Sequence, residues 1–523
     1  MKRTVIIPAA GLASRMKPLS RGISKAMIPV NGRPLISYII EHIEFDEMII
    51  VENELGDIKE FVSRVYPQKP IKFVVQEEKK GPLHAIFLGW HAANIKDSAV
   101  TIWLGDTICL DDFDWEENFV AVHQVDDPHR WCLIDEHGKL YDKPDSQVPT
   151  NEALIGVYHF LERDSFDSAI VSGMGKPPHK GEHQIAALLE DYQANIGMPV
   201  ALAETSQWYD CGELTTYYKS KARLLTRSAR SFNKISVDTF YGTVTKSSSD
   251  EEKQDKIQAE KNWFKSLDEA QSLFCPRILD SQYGTLKMSL EPGTALNEVL
   301  VYDNLRTDVW HEIIRKILDV HHNVFYSPAL LEADHYHHCF TAYFLKNQSR
   351  MKKISAMFMD QELVNFVEDT GLELCKDPLW SNVLHGDSHL GNIIYDPFSG
   401  AIKFVDPRGQ FGDQEGAMGD MRYDMGKLLQ DFYCGYSMMM AGRYEIHDKV
   451  VKIDWIGETE KLSTFLESEL LSYGYNVKLL KKLAVVLLVT AIPFHEGSPK
   501  RQKAFYYRAL NLMKTLKSTD DLS

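Results

Sequence analysis

The stretch Val5-Ile6-Ile7-Pro8-Ala9-Ala10-Gly11-Leu12-Ala13-Ser14-Arg15 decides how the first half of the chain folds. A short β-rich run gives way at Pro8 to small residues, and a basic stretch follows as far as Lys25. A loop of small residues after a strand lets backbone N–H groups approach phosphate oxygens closely. Arg15 and Lys25 carry the charge to neutralise a leaving pyrophosphate. The GxGxxG of a dinucleotide fold and the GxxxxGKS of a P-loop are both absent. Outward from this loop, strand-like runs at residues 48–51, 71–75 and 99–104 alternate with amphipathic runs such as 34–43 and 83–93. That alternation predicts an α/β domain with a mostly parallel sheet. A helix over residues 215–225 is expected to close it.

The whole chain has 523 residues, too many for one ordinary core. It is 44% apolar and 25% charged, as a globular protein is, and its net charge is −16. That balance disfavours a chain-wide grip on nucleic acid or an anionic membrane. The first apolar run meets Gly11 and Arg15 too soon for a signal peptide. Residues 483–494 are too few to span a bilayer and read as a buried helix. Seven scattered cysteines with no CxxC pair read as free thiols in a reducing, cytoplasmic setting.

A second pattern begins near residue 231, and the boundary is placed at 228/229. Residues 235–245 read as a β-hairpin. The polar run 247–256 (SSSDEEKQDK) reads as a loop inside the second domain, leading into an amphipathic stretch at 257–267. From about residue 308 the pattern is mainly helical, interrupted over 382–406 by two strand-like pieces. Within that interruption lies His385-Gly386-Asp387-Ser388-His389-Leu390-Gly391-Asn392, followed by Phe404-Val405-Asp406. An aspartate five residues before an asparagine, with a second aspartate fourteen residues further on, is kinase-type spacing. The first aspartate accepts the substrate hydroxyl proton, and the asparagine and second aspartate hold Mg²⁺ on ATP phosphates.

The opening segment, AAGLASRMKPLSRGISKAMIPVNGRPLI, resembles the signature of nucleotidyltransferases that make nucleotide-sugars and related activated alcohols. Gly11, Arg15, Pro18, Lys25, Pro29 and Pro34 fall in register, while Ala13 replaces a glycine and Ser24 a proline. The resemblance implies a Rossmann-like (GT-A-like) domain over 1–228, with Ala10 and Gly11 at the nucleotide. It implies that Gln76 and Gly81 address the base, favouring UTP, dTTP or CTP. It makes Asp106 (in Leu104-Gly105-Asp106) and Asp210 (in Trp208-Tyr209-Asp210-Cys211-Gly212) the Mg²⁺ carboxylates. Lys143 would hold the acceptor phosphate, and Gly156, Tyr158 and Glu182 would line a sugar pocket. The chemistry is attack of an acceptor phosphate oxygen on the α-phosphorus of an NTP, with Arg15 and Lys25 adding fixed charge.

The HGDxHxGN motif resembles the aminoglycoside phosphotransferase and choline kinase superfamily. That implies a two-lobed, protein-kinase-like α+β domain over 229–523, with the N-lobe at about 229–300 and the C-lobe at about 301–523. Asp387 would be catalytic, and Asn392 and Asp406 the metal ligands. Lys246 would contact ATP phosphates and pair with Glu260, and Met288 and Leu290 would lie in the adenine hinge. Asp424 is expected to buttress the catalytic loop. Only Gly242 stands where a glycine-rich loop belongs.

His335, His337 and His338 lack zinc-site spacing. Tyr433 and Tyr436 are either core or a cage for a quaternary ammonium.

The combined expectation is a cytoplasmic bifunctional enzyme. ATP would phosphorylate a small hydroxyl compound, and the first domain would join an alcohol- or sugar-phosphate to an NMP for surface polysaccharide. A CDP-alcohol route from choline or an amino alcohol is an alternative, as is one non-catalytic, nucleotide-binding domain. The expected partners are small molecules, not nucleic acid or membrane, with a homo-oligomer left open.

Overall fold

The computed structural model describes every residue except 1, 12, 13, 18, 21, 96, 180, 228–233, 304, 328–332, 359 and 521–523. Ala13, Pro18 and the expected boundary at 228/229 lie outside the described residues. The chain divides into two compact units, Met1–Leu224 and Leu225–Ser523.

The first unit is built on a nine-stranded mixed sheet. Its parallel half comprises β1 (Arg3–Pro8), β2 (Glu47–Glu52), β3 (Ile71–Val75) and β4 (Ala99–Trp103), in the order β4-β1-β2-β3. Three helices accompany these strands: α1 (Leu35–His42), α2 (Asp57–Val65) and α3 (Pro82–Ala92). α3 lies so close to the sheet that a Cβ on Gly89 would sit 2.7 Å from Ile6 Cγ2.

Beyond β4 the pattern changes. Three residues lead from β4 to β5 (Thr107–Cys109), and β6 (Phe119–Gln124), β7 (Cys132–Ile134), β8 (Leu140–Asp142) and β9 (Glu152–Phe160) follow with no α-helix between them. Without crossover helices, neighbouring strands return antiparallel. β9 accordingly runs against β4, β6 and β7. The sheet is therefore less parallel than the alternation of the first hundred residues predicts. Helices α4 (Arg163–Gly175) and α5 (Ile185–Ile196) then precede β10 (Ala201–Glu204), which pairs parallel with β6. β11 (Trp208–Asp210) pairs with β5, and α6 (Leu214–Arg227) ends the unit's secondary structure. The core lies between the sheet and α3, α4 and α5, around Ile6, Ile102, Phe160 and Tyr192.

The second unit opens with a four-stranded antiparallel sheet of β12 (Lys234–Asp238), β13 (Thr243–Ser247), β14 (Ile278–Gln282) and β15 (Thr285–Ser289), ordered β12-β13-β15-β14. The run expected to be a loop over 247–256 is helical from Glu251 onward, within α7 (Glu251–Ser266). Asp250 caps that helix by accepting the Lys253 N–H, and Glu251 and Glu252 favour its positive end. A small three-stranded sheet includes β16 (Ile393–Asp396) and β17 (Ala401–Phe404). The remainder is mainly helical, with three two-stranded ribbons among the described residues. It includes α8 (Lys346–Phe358), α9 (Arg422–Phe432) and the apolar α10 (Val477–Val489), which packs on α9 inside the unit. Among the described residues no helix is long and apolar enough to cross a membrane. All seven cysteines are free thiols.

Candidate functional sites in the two units

In the first unit, β4 delivers Asp106 just past its end, and the β5–β11 pairing sets Asp210 opposite Thr107. Cys211 N–H donates to the Asp106 carbonyl at 3.2 Å, which stitches the two segments together. Lys25 Nζ reaches Asp106 Oδ2 at 2.5 Å. Burial opposes ionisation of Asp106, but Lys25, with Arg15 further off, outweighs it and holds this carboxyl below its ordinary range. Asp210 is pushed the other way by burial, and Asp106 adds to the rise. Two carboxyls thus share one pocket of field, with a lysine beside one of them.

The Ser24 departure has a local account. Its N–H and hydroxyl both donate to Asp57, at 2.7 and 2.5 Å, and Asn53 Nδ2 donates to its hydroxyl. A proline there has no N–H to give. The resulting clamp fixes the segment that carries Lys25.

The Nucleotidyl transferase family profile matches residues 4–227. The UTP--glucose-1-phosphate uridylyltransferase 2 of Staphylococcus saprophyticus is 30% identical over 267 residues, covering 42% of this chain and 90% of that protein. The chain belongs to the nucleotidyl transferase family. The Bifunctional protein GlmU of Methanococcus maripaludis is 28% identical over 234 residues, 42% of this chain and 54% of that protein. The chain thus spans about half the length of that relative. A solved UDP-glucose pyrophosphorylase complexed with UDP-glucose aligns at 20% identity and a TM-score of 0.38, covering 43% of this chain and all of that one.

The other expected residues of the nucleotidyl transferase unit are placed as follows. Ala10 is buried, while Gly11 and Arg15 are exposed at the loop after β1. Gln76 is buried at the end of β3, its amide bonded to the Gly81 carbonyl and His84 Nδ1, both at 3.1 Å. Gly81 takes φ 97° immediately before α3. A Cβ there would come within 2.8 Å of Glu182 Cβ and the His183 backbone, so only glycine lets these two loops meet. Glu182 and Lys143 are exposed. Lys143 holds an unusual left-handed backbone (φ 47°), pinned by its N–H to the Trp131 carbonyl at 2.9 Å. Gly156 lies where the β9–β6 register shifts. Tyr158 sits on β9. It is 4% exposed within the hydrophobic core, because its strand position faces the helices.

In the second unit, Lys246 on β13 is buried between two carboxylates. Glu260 from α7 lies at 2.6 Å, and Asp406, just past β17, makes a closer ion pair. Burial alone would lower the Lys246 ammonium, but these two anions raise it above its usual value. Asp406 holds φ 62°. Its segment is fixed from both sides: Val405 N–H donates to the Asn392 carbonyl, and Arg408 N–H to the His385 carbonyl. Gly409 (φ 62°) sits beneath α7, where a Cβ would lie 2.1 Å from the Ala259 carbonyl oxygen. Trp263 of α7 donates to the Leu384 carbonyl at 2.7 Å. The helix bearing Glu260 therefore rests directly on the loops bearing Asp387 and Asp406.

Asp387 is almost fully buried. Lys427 Nζ lies 3.0 Å from one of its oxygens and an Arg408 nitrogen 3.3 Å from the other. Burial opposes its ionisation, yet Arg408 and Lys427 hold it well below the carboxylate range. Asn392 Nδ2 donates to the Asp387 carbonyl at 3.0 Å. Asp424 accepts the backbone N–H groups of His385 and Gly386, and its own burial raises its carboxyl to about 7. Met288 is buried on β15, and the Leu290 N–H is already given to the Gly242 carbonyl at 2.8 Å.

His337 and His338 both pair with Asp413, and His335 stacks on Trp380. Among the described residues no cluster of three or more His, Cys, Asp or Glu forms a metal site. Sequence reading missed Arg408, Lys427 and two further cations, Lys346 and Arg350. The only linear signal was the adjacency of Arg408 to Asp406.

Proposed function

We propose that the first unit transfers an NMP from an NTP to a sugar- or alcohol-phosphate and releases pyrophosphate. The convergence of Lys25, Asp106 and Asp210 is the observation that carries this reading. The hard oxygen donors and the raised Asp210 fit a divalent cation, whose charge would relieve the two carboxyls. Asp106 and Asp210 would hold Mg²⁺, which when bound supplies charge stabilisation for the phosphates. Arg15 and Lys25 would neutralise the departing pyrophosphate, Lys143 would hold the acceptor phosphate, and Gln76 would select a pyrimidine base. The attacking phosphate is already ionised, so no general base is needed. The uridylyltransferase relative supports a sugar phosphate as acceptor and a nucleotide-sugar as product. The test is pyrophosphate release, screening sugar phosphates and amino-alcohol phosphates against CTP, UTP, dTTP, GTP and ATP. Asp106→Ala should abolish whatever release is found. Release that survives this change sinks the assignment.

We propose, for the second unit, ATP-dependent phosphorylation of a small hydroxyl compound. Its support is the Lys246–Glu260–Asp406 cluster beside a buried Asp387 whose loop is held by Asn392 and Asp424. Asn392 and Asp406 would hold Mg²⁺ on the ATP phosphates, and their oxygen donors fit that cation. Asp387 accepts the acceptor's hydroxyl proton. ADP formation that is lost in Asp387→Ala, with pyrophosphate release intact, is the expected result.

A further inference from the structure

We infer that the acceptor alcohol taken beside Asp387 itself carries an anionic group, a phosphate or a carboxylate. This rests on reading the second unit as a phosphotransferase. The walls of the cleft next to Asp387 include Lys346, Arg350, Arg408, Gln410 and Tyr423. None of its lining residues among those described is acidic.

Four cations converge here, and two are engaged: Arg408 and Lys427 both bear on Asp387. Lys346 and Arg350 are not. They stand one turn apart on α8, facing the same cleft, and neither has a carboxylate partner among the described residues. Arg350 also lies over the ring of Phe494, at 5.0 Å from its centroid, which presents a planar fork rather than a free-swinging charge.

Like charges gathered in a concave, partly desolvated space repel one another, and an anionic ligand relieves that repulsion. Lys346 registers the strain. It is reached by solvent, yet the surrounding protein, Arg408 and Arg350 lower its ammonium to about 7, Lys427 adding to this and Asp387 opposing it. A bound anion would restore its charge.

The same geometry argues against a quaternary ammonium. Tyr433, one half of the conceivable cage, already has Lys481 Nζ 4.6 Å above its ring. Tyr436 packs near Phe505. In the reaction, the acceptor hydroxyl oxygen bonds to the γ-phosphorus, the bond to the ADP oxygen breaks, and the proton passes to Asp387. The product carries two anionic groups.

The test is calorimetric titration of the full chain with sn-glycerol 3-phosphate, D-glycerate and choline, in wild type, Lys346→Gln and Arg350→Gln. A non-hydrolysable ATP analogue is titrated in parallel, and circular dichroism checks the fold. The expected result is binding of one or both anions, weakened about tenfold or more in each variant, with choline unbound. The glycerol phosphate and glycerate arms tell phosphate from carboxylate. Choline binding, no anion binding at millimolar concentration, or anion binding unmoved by both substitutions overturns the inference, even where the ATP analogue binds. Anion binding lost in the variants without any binding of the analogue upholds the anion site and removes the kinase reading instead.

Discussion

Lys25 in the first unit and Lys246 in the second each neutralise an aspartate that follows a strand, but they are held very differently. Lys25 has Asp106 alone as its ion-pair partner among the described residues, and the Asp106 side chain is 28% exposed. Lys246 is clamped between Glu260 and Asp406, with Glu260 only 5% exposed. A lysine with one partner near solvent can leave that carboxylate when a substrate phosphate or a metal arrives. A lysine with a buried second carboxylate stays in place while its other partner exchanges. The first arrangement suits a residue that follows a leaving group, and the second suits one that fixes a nucleotide throughout.

The sharpest way to break this comparison is to remove one centre at a time. Asp106→Ala and Asp387→Ala should each lower one activity by a factor on the order of 10³ and spare the other. Pyrophosphate release and ADP formation, measured on the same preparation, check this. Coupled losses would mean that the two units do not work as separate centres.

Next in size is the lysine itself. Lys246→Met leaves Glu260 buried without its cation, which should cost about 3 kcal/mol in the second unit's unfolding. Lys25→Met should cost about 1 kcal/mol or less, because its pair reaches water. Denaturant unfolding of the full chain, followed by probes in each unit, measures both; equal costs would erase the proposed difference.

A pH series sharpens the contrast further. His159 is fully buried in the first unit, and burial lowers its imidazole to about 4. The unfolded chain therefore takes up a proton first as pH falls. Stability is full above about 6.5 and drains toward pH 4, by about 3 kcal/mol from this residue. In the second unit, burial also holds His321 well below its ordinary value, but the neighbouring Asp424 is raised to about 7 and its slope has the opposite sign. Across pH 4–6.5 the two oppose each other. His159→Gln should flatten the acid limb of the first unit's unfolding only, as read from unfolding midpoints at a series of pH values.

The smallest expected effect belongs to Asp250→Ala, which removes the cap of α7 at a cost of about 1 kcal/mol. The melting temperature of the second unit reads it out. An unchanged value would mean that the polar run contributes nothing as a helix start.

Much of the first unit was legible because its parallel half writes itself in apolar runs. Residues 71–75 are a strand with those same bounds. Its antiparallel half was not, since pairing direction is set by connection length and not by any residue of the strand. The start of α7 was hidden for another reason. Ser, Asp, Glu, Gln and Lys carry no apolar period, and a capped polar helix turn looks like a linker until Asp250 is seen to accept the Lys253 N–H. The aspartates of both centres stood out because segments of fixed spacing surround them. Lys346, Arg350 and Lys427 did not, because a lone basic residue on a helix is usually solvated. Their meaning lies in two separate helices, α8 and α9, meeting beside Asp387.

Gly409 gives the second unit an unusual kind of heredity. With the Ala259 carbonyl where a Cβ would stand, α7 and the loop 406–409 cannot be exchanged independently. A chimera that imports residues 251–266 from another protein should seat only if the recipient's 406–409 comes with it, and a saturation library at 409 should return glycine alone. Two stretches about 150 residues apart in the chain thus form one transplantable part.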